Sequence, residues 1–176
     1  FRWRQAVSAQ EQMHAGLNLP GQKELSQGGR EAAQTGAELK AIALTKPGPS
    51  PVAIVYDYEA AWVTRIQPQG QDFRYFELVF RWYEAVRRLG LDVDFVAPGD
   101  DVTGYALVLA PALFRLTDPF RAALGAYEGV ALIGPRTDLK TDELAIRLPL
   151  GPAIEGLDVT VIASESLPPS ETIKLD

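Results

Sequence analysis

The 176-residue sequence predicts an α/β protein with a doubly wound, mainly parallel sheet, and three observations carry that prediction. Short apolar runs of strand length recur after Pro51: Val52-Ala-Ile-Val-Tyr56, Tyr105-Ala-Leu-Val-Leu-Ala110 and Val130-Ala-Leu-Ile133. Runs without polar alternation suit strands buried on both faces. Helical stretches separate them, and strands alternating with helices argue for a parallel sheet. Finally, Thr45-Lys-Pro-Gly-Pro-Ser-Pro51 packs three prolines into seven residues and marks the clearest domain boundary, with residues 47–51 as a linker.

Composition narrows the function. At 47% hydrophobic and 23% charged the chain is globular in type, and no apolar run approaches the roughly 20 residues that span a bilayer. With a net charge of -6 and its basic residues dispersed among acids, nothing draws it to nucleic acid or an anionic membrane. The absence of cysteine excludes disulfides, thiolate zinc sites and a cysteine nucleophile. His14 is the only histidine, so a multi-histidine metal site is excluded too. No loop offers acids spaced for Ca²⁺ or Mg²⁺. Neither metal nor cofactor is expected, and the composition fits an intracellular, cytoplasmic protein.

Taken in order, Phe1 to Gln5 alternates as a strand, with Phe1, Trp3 and Gln5 on one face and Arg2 and Arg4 on the other. A strand at full strength at residue one reads as cut from a longer chain. Ser8 to Gly16 is predicted helical, with Ser8 and Glu11 matching a capping box. Asn18 to Gly29 is a loop by its Pro and Gly content. A helix from Arg30 to about Leu44 shows small apolar residues, Ala32, Gly36, Leu39 and Ala43, at helical spacing.

Beyond the linker, Leu91 to Val96 alternates and suits a sheet edge, and Leu157 to Ile162 is expected as a later strand. Asp118-Pro119 is expected as N-cap and first helical residue of a short helix to about Tyr127. Asp57, Glu59 and Asp72 follow the first strand, where doubly wound folds place ligands. No glycine cradle accompanies them, so caps and salt links are the better account. Gly99 to Gly104 precedes a strand and reads as a turn.

The helix from Asp72 to Leu89, closed by Gly90, has two apolar stripes. Phe76, Val79, Phe80 and Tyr83 form the expected core face, and Tyr75, Leu78, Trp82, Val86 and Leu89 the second. Together they cover roughly two-thirds of the circumference, where a sheet face needs about 100°. The surplus predicts burial against another domain or subunit, around Tyr75 and Trp82.

Chemistry concentrates near the N-terminus. Glu11 and His14, three apart, share a helix face. A carboxylate accepts, and an imidazole donates or accepts, so together they can bind vicinal hydroxyls such as those of a sugar. A capping carboxylate and a half-exposed histidine account for the same residues without a ligand. Serine nucleophiles are not supported, since no G-x-S-x-G elbow occurs. Glycoside hydrolysis needs two carboxylates flanking the scissile bond. Glu11 has no visible partner for that task, and nothing after Pro51 suggests such a pair.

Phe1-Arg-Trp-Arg-Gln5 with Ala9-Gln-Glu-Gln-Met-His-Ala-Gly-Leu17 resembles the end of the catalytic barrel of glycoside hydrolase family 42 β-galactosidases. Val52 to Trp62 resembles the start of that family's trimerisation domain. Phe76 to Leu91, Tyr105 to Pro111 and Gly134-Pro-Arg136 continue the likeness. The resemblance implies a retaining β-galactosidase acting on terminal galactosyl residues. Residues 1–46 would be the last strand and helix of a (β/α)8 TIM barrel. Residues 52–176 would be a flavodoxin-like, class I glutamine-amidotransferase-like domain that assembles homotrimers.

The catalytic glutamates would lie upstream, so none is assigned here. Glu11, His14 and Phe1 match positions that contact the galactoside. Departures are the single glycine in Tyr127-Glu-Gly-Val130, a loose match over Leu150 to Leu167, and an end at Asp176 before an expected small β domain. The alternative is a stand-alone, non-catalytic α/β oligomerisation module.

Overall fold

The computed structural model describes residues 2–42, 48–168 and 170–174. Phe1 and, of the predicted boundary, Thr45, Lys46 and Pro47 lie outside the described residues. The chain divides into two compact units, Phe1–Gly48 and Pro49–Asp176.

In the first unit the chain doubles back on itself. Leu17 N–H donates to Arg2 O and Asn18 N–H to Trp3 O, both at 2.9 Å, and Ser26 N–H donates to Leu17 O at 2.8 Å. Residues 16–18 thus run between residues 2–5 and 25–26, yet only single bridges form, Arg4 with Asn18 and Asn18 with Leu25. The predicted opening strand is therefore no more than an isolated bridge. Helix α1 (Gln27–Ala41) begins three residues earlier than expected, because the Ser26 hydroxyl accepts from Gly29 N–H and caps it. Gly29 is fixed by contact: an added Cβ would fall 2.0 Å from Leu17 O.

The second unit runs β1 (Val52–Val55), α2 (Tyr58–Ile66), α3 (Tyr75–Arg88), β2 (Val93–Val96), β3 (Leu107–Ala110), α4 (Asp118–Gly125) and β4 (Val130–Ile133). All strand pairs are parallel, in the order β2-β1-β3-β4. As far as it extends, this is the 2-1-3-4 order of flavodoxin-like doubly wound sheets. Alternation along β1 sends Val52 and Ile54 to one face, against Ala60, Val63, Tyr75, Val79 and Val86 of α2 and α3. Ala53 and Val55 face the other way, toward Phe120 and Leu124 of α4. Helices on both faces explain why β1 is apolar throughout and wholly buried.

Several expectations change. Helix α2 was not foreseen; Asp57 caps it, accepting from Glu59 N–H at 2.9 Å and Ala60 N–H at 3.2 Å. Helix α4 is capped by Thr117, one residue before the expected Asp118, which places Pro119 in the first turn. β4 is not buried on both faces: it ends the sheet, and Val130 and Leu132 are exposed. Leu157 to Ile162 forms no strand. Val159 N–H donates to Leu157 O at 2.9 Å, curling the backbone into a three-residue turn and occupying a donor that a ladder would need.

The buried face of α3 draws on both predicted stripes. Tyr75, Val79 and Val86 are buried, whereas Phe76 and Phe80 of the expected core stripe are exposed. Tyr75 is held inside because its hydroxyl accepts Asp57 N–H at 3.0 Å, so the ring can be buried with its polar end satisfied. Tyr75 is thus committed to the core of its own domain, and Trp82 packs against the same core.

Candidate functional site

The first candidate site is the tip of the loop between residues 5 and 16. The predicted α-helix there is a single 3-10 turn, Gln10–Met13. Its N-cap is Ala9, with no side-chain cap, so the Ser8–Glu11 capping box does not form. Glu11 is released from that structural task and instead ion-pairs with Arg2. His14 closes the turn, its N–H donating to Glu11 O at 3.2 Å, and its backbone is extended. The two residues therefore sit one turn apart at an exposed loop tip, not on a continuous α-helical face.

The base of this loop is tied down. Arg2 Nη1 donates to Glu11 O at 2.9 Å and Gln5 Nε2 to Gln12 O at 2.6 Å. Gly16 lets the returning strand pass closely, since a Cβ there would lie 2.6 Å from Arg4 C and Gln5 N. Asn18 anchors the far side, its Nδ2 donating to Lys23 O at 2.8 Å. Arg2 thus meets both the backbone carbonyl and the carboxylate of Glu11. Phe1, the third predicted contact residue, lies outside the described residues.

The second candidate site is the crevice past the carboxyl ends of β1 and β3, the switch point where doubly wound folds bind ligands. Here its own side chains cross it. Arg115 donates through Nε to Glu59 Oε2 at 3.1 Å and through Nη2 to the same oxygen at 2.5 Å, while Nη1 reaches Asp142 Oδ1 at 2.9 Å. Hydrogen bonding to Glu59 raises the Arg115 pKa further above its already high value. Asp57 is spent on capping α2; burial raises its pKa, with the two backbone N–H donors opposing. The expectation that Asp57 and Glu59 serve as cap and salt link is met.

The turn after β3 is tight. Ala112 is fully buried with φ 49°, in the left-handed region that residues with a Cβ rarely adopt. Gly134, after β4, packs onto it backbone to backbone: a Cβ there would lie 2.8 Å from Ala112 N. A methyl at Ala112 offers no nucleophile. Among the described residues no group of three or more His, Cys, Asp or Glu could hold a metal ion, and no helix is long and apolar enough to cross a membrane.

Sequence reasoning missed a further network. Asp138 is wholly buried and accepts from Arg121 Nε at 2.9 Å, Arg121 Nη2 at 2.7 Å and Ala153 N–H at 3.0 Å. Arg121 also donates to Leu116 O at 2.9 Å and pairs with Asp118, and Arg147 Nε stands 3.7 Å from Asp138. Burial alone would raise the Asp138 pKa; the Arg121 guanidinium, the Ala153 N–H and Arg147 together outweigh it and hold the carboxyl below its usual value.

The second unit is thus a parallel α/β domain whose ligand crevice is crossed by an arginine bridge and whose outward helix faces carry uncovered aromatics. The family model for the β-galactosidase trimerisation domain matches residues 50–176, and the chain belongs to that family. It is 48% identical over 171 residues to the β-galactosidase BgaA of a Thermus species, covering 96% of this chain and 26% of that protein.

Among solved structures, a β-galactosidase from the psychrophilic Marinomonas ef1 matches with a TM-score of 0.72 and 40% identity, over 86% of this chain and 24% of that one. The polyextremophilic β-galactosidase of the Antarctic haloarchaeon Halorubrum lacusprofundi matches with a TM-score of 0.70 and 39% identity, over 84% and 22%. The chain therefore spans about a quarter of the length of the relatives it matches. The resemblance to family 42 β-galactosidases holds.

Proposed function

We propose that this chain is the C-terminal portion of a retaining β-galactosidase that hydrolyses terminal β-D-galactosyl residues. Residues from about 52 onward associate copies into a homotrimer, and the N-terminal unit is the last strand and helix of the catalytic barrel. The two catalytic glutamates belong to the chain upstream, and the cytoplasm is the compartment that the composition suggests. One observation carries this reading: the likeness to BgaA covers 96% of the chain, so it takes in the N-terminal unit as well as the trimerisation domain.

Glu11 and His14 then contact galactose hydroxyls. An ionised carboxylate accepts from two neighbouring hydroxyls, while the imidazole donates to one of them or accepts from it. Arg2 ion-pairs with the Glu11 carboxylate. Phe1, by the same resemblance, would be an aromatic residue at the galactoside site. In the full-length protein, Glu11→Gln and His14→Ala should each lower kcat/KM at least tenfold, a loss of about 1.4 kcal/mol of transition-state binding. Steady-state kinetics on a nitrophenyl galactoside checks this. Wild-type kinetics in both variants would defeat the assignment.

A further inference from the structure

The proposed association of copies does not itself say which surface makes the contact. Helices α2 and α3 each leave one apolar row uncovered. On α2, Tyr58, Trp62 and Ile66 recur every four residues and are 67%, 55% and 72% exposed. On α3, the Phe76 and Phe80 rings stack with centroids 6.4 Å apart. Tyr83 continues that row 6.3 Å from Phe80, and Phe95 of the edge strand β2 follows 5.6 Å from Tyr83. Phe76, Phe80 and Phe95 are between 53% and 66% exposed.

These are not core positions that failed to close. The inner faces of the same helices are already packed, by Ala60 and Val63 on α2 and by Tyr75, Val79 and Val86 on α3. At about 150–250 Å² for an aromatic side chain, each row leaves roughly 300–400 Å² of apolar surface in water. That is about the size of the largest patch on a typical monomer, and this domain carries two. A standard interface takes about 800 Å² from each partner, so one such row can supply its aromatic centre while a surrounding polar rim supplies the rest. The α3 row has such a rim of both signs, Arg74 with Glu77 and Glu84 with Arg88, which suits a protein surface of mixed charge. Val130 and Leu132 at the other sheet edge make a smaller, purely aliphatic patch.

A closed ring of three identical subunits imposes a condition that a two-fold dimer does not. Its interfaces are heterologous, so every copy shows one surface to the neighbour on one side and a different surface to the other. Two distinct aromatic rows, on two helices of one domain, meet that condition. We infer that the α3 row of one copy (Phe76, Phe80, Phe95) seats against the α2 row of the next (Tyr58, Trp62, Ile66). This rests on the association proposed above, and the occupant is a second copy of this chain.

The test uses the full-length protein and two double variants at exposed positions, Phe76→Glu with Phe80→Glu and Trp62→Glu with Ile66→Glu. Light scattering should give three subunit masses for the wild type and one for each variant alone. The mixture is the decisive arm. Each variant keeps the row the other lacks, so equal amounts should combine into a species of two subunit masses and no larger. Circular dichroism confirms folding, and Phe80→Ser replaces the charged pair if the first variant does not fold.

Variants that stay trimeric, or a mixture that stays monomeric, overturn the pairing while leaving the association reading in place. Variants that lose activity at unchanged mass also overturn it, because the rows would then be covered by the rest of the same chain. A monomeric wild type would refute the association reading itself, and the pairing with it.

Discussion

Replacing Asp138 by Asn isolates the worth of the buried charge that ties α4 to the segments after β4. The substitution suits the position, because Asp138 has φ 58° and asparagine tolerates the left-handed region well. It keeps the volume and one acceptor oxygen but removes the negative charge. The Arg121 side chain, 11% exposed, would then face an amide, with Asp118 and Leu116 O as its remaining partners. Breaking a buried pair from one side costs about 3–5 kcal/mol. Retention of those partners puts the expected loss near the lower end, about 3 kcal/mol. At about 3 °C per kcal/mol for a domain of this size, the melting temperature should fall by about 10 °C.

The pH dependence gives that prediction a second arm. The folded state holds the Asp138 pKa below its usual value, through Arg121, Ala153 N–H and Arg147 acting against burial. Such a group contributes stability that is fully present above the unfolded value of about 3.9 and is lost as pH falls through the lower folded value. The gap between wild type and Asp138→Asn should therefore be constant from pH 7 down to about pH 5 and close below about pH 4. Denaturant unfolding followed by circular dichroism at several pH values measures it. A loss under about 1 kcal/mol, or a gap independent of pH down to 3, would refute the account of Asp138 as a paired buried carboxylate.

Two further predictions concern local backbone. Asp57→Ala removes both acceptors of the α2 cap and should cost about 1 kcal/mol, whereas Asp57→Asn should stay within about 0.5 kcal/mol of wild type; equal losses in denaturant melts would argue that the charge matters more than the cap. Gly151→Ala forces a Cβ to within 2.1 Å of Asp138 O, so a loss of at least about 2 kcal/mol, or insolubility on expression, is expected, and a neutral outcome would show that this backbone approach can relax.

What the sequence could reveal followed from periodicity, and what it hid depended on partners distant along the chain. The continuous runs at Val52 and Leu107 became the two central strands, and the alternation from Leu91 to Val96 became an edge strand. The end of α3 was legible because Gly90, at φ 78°, follows its C-cap Leu89. Helix α2 was legible in principle from Asp57 as a cap and from Ala60, Val63 and Thr64 on one face, all buried.

Which residues of α3 turn inward was not legible. With two apolar arcs on one helix, hydrophobicity cannot say which turns inward; the hydrogen bond from Asp57 N–H to the Tyr75 hydroxyl decides. Asp138 was equally hidden, because its burial depends on an arginine seventeen residues earlier. At the N-terminal loop the residue types at Glu11 and His14 were legible, but their local structure was not. The Ser8 cap fails there, and Arg2 claims the carboxylate.

A doubly wound sheet places its loop ends at a crevice, and most users of the fold bind small molecules there. In this chain Arg115 spans that crevice from Glu59 to Asp142, and Ala112 stands in the tight turn beside it. Arg115 is 24% exposed and its partners Glu59 and Asp142 are 53% and 79% exposed, so the bridge occupies the crevice but adds little stability. Apart from this crevice, uncovered apolar surface lies on the outer faces of the helices. Those faces are where Trp62, Phe76 and Phe80 stand uncovered. A rigid sheet is a suitable base for such rows, because an interface gains most when its aromatic anchors are already fixed in place before contact.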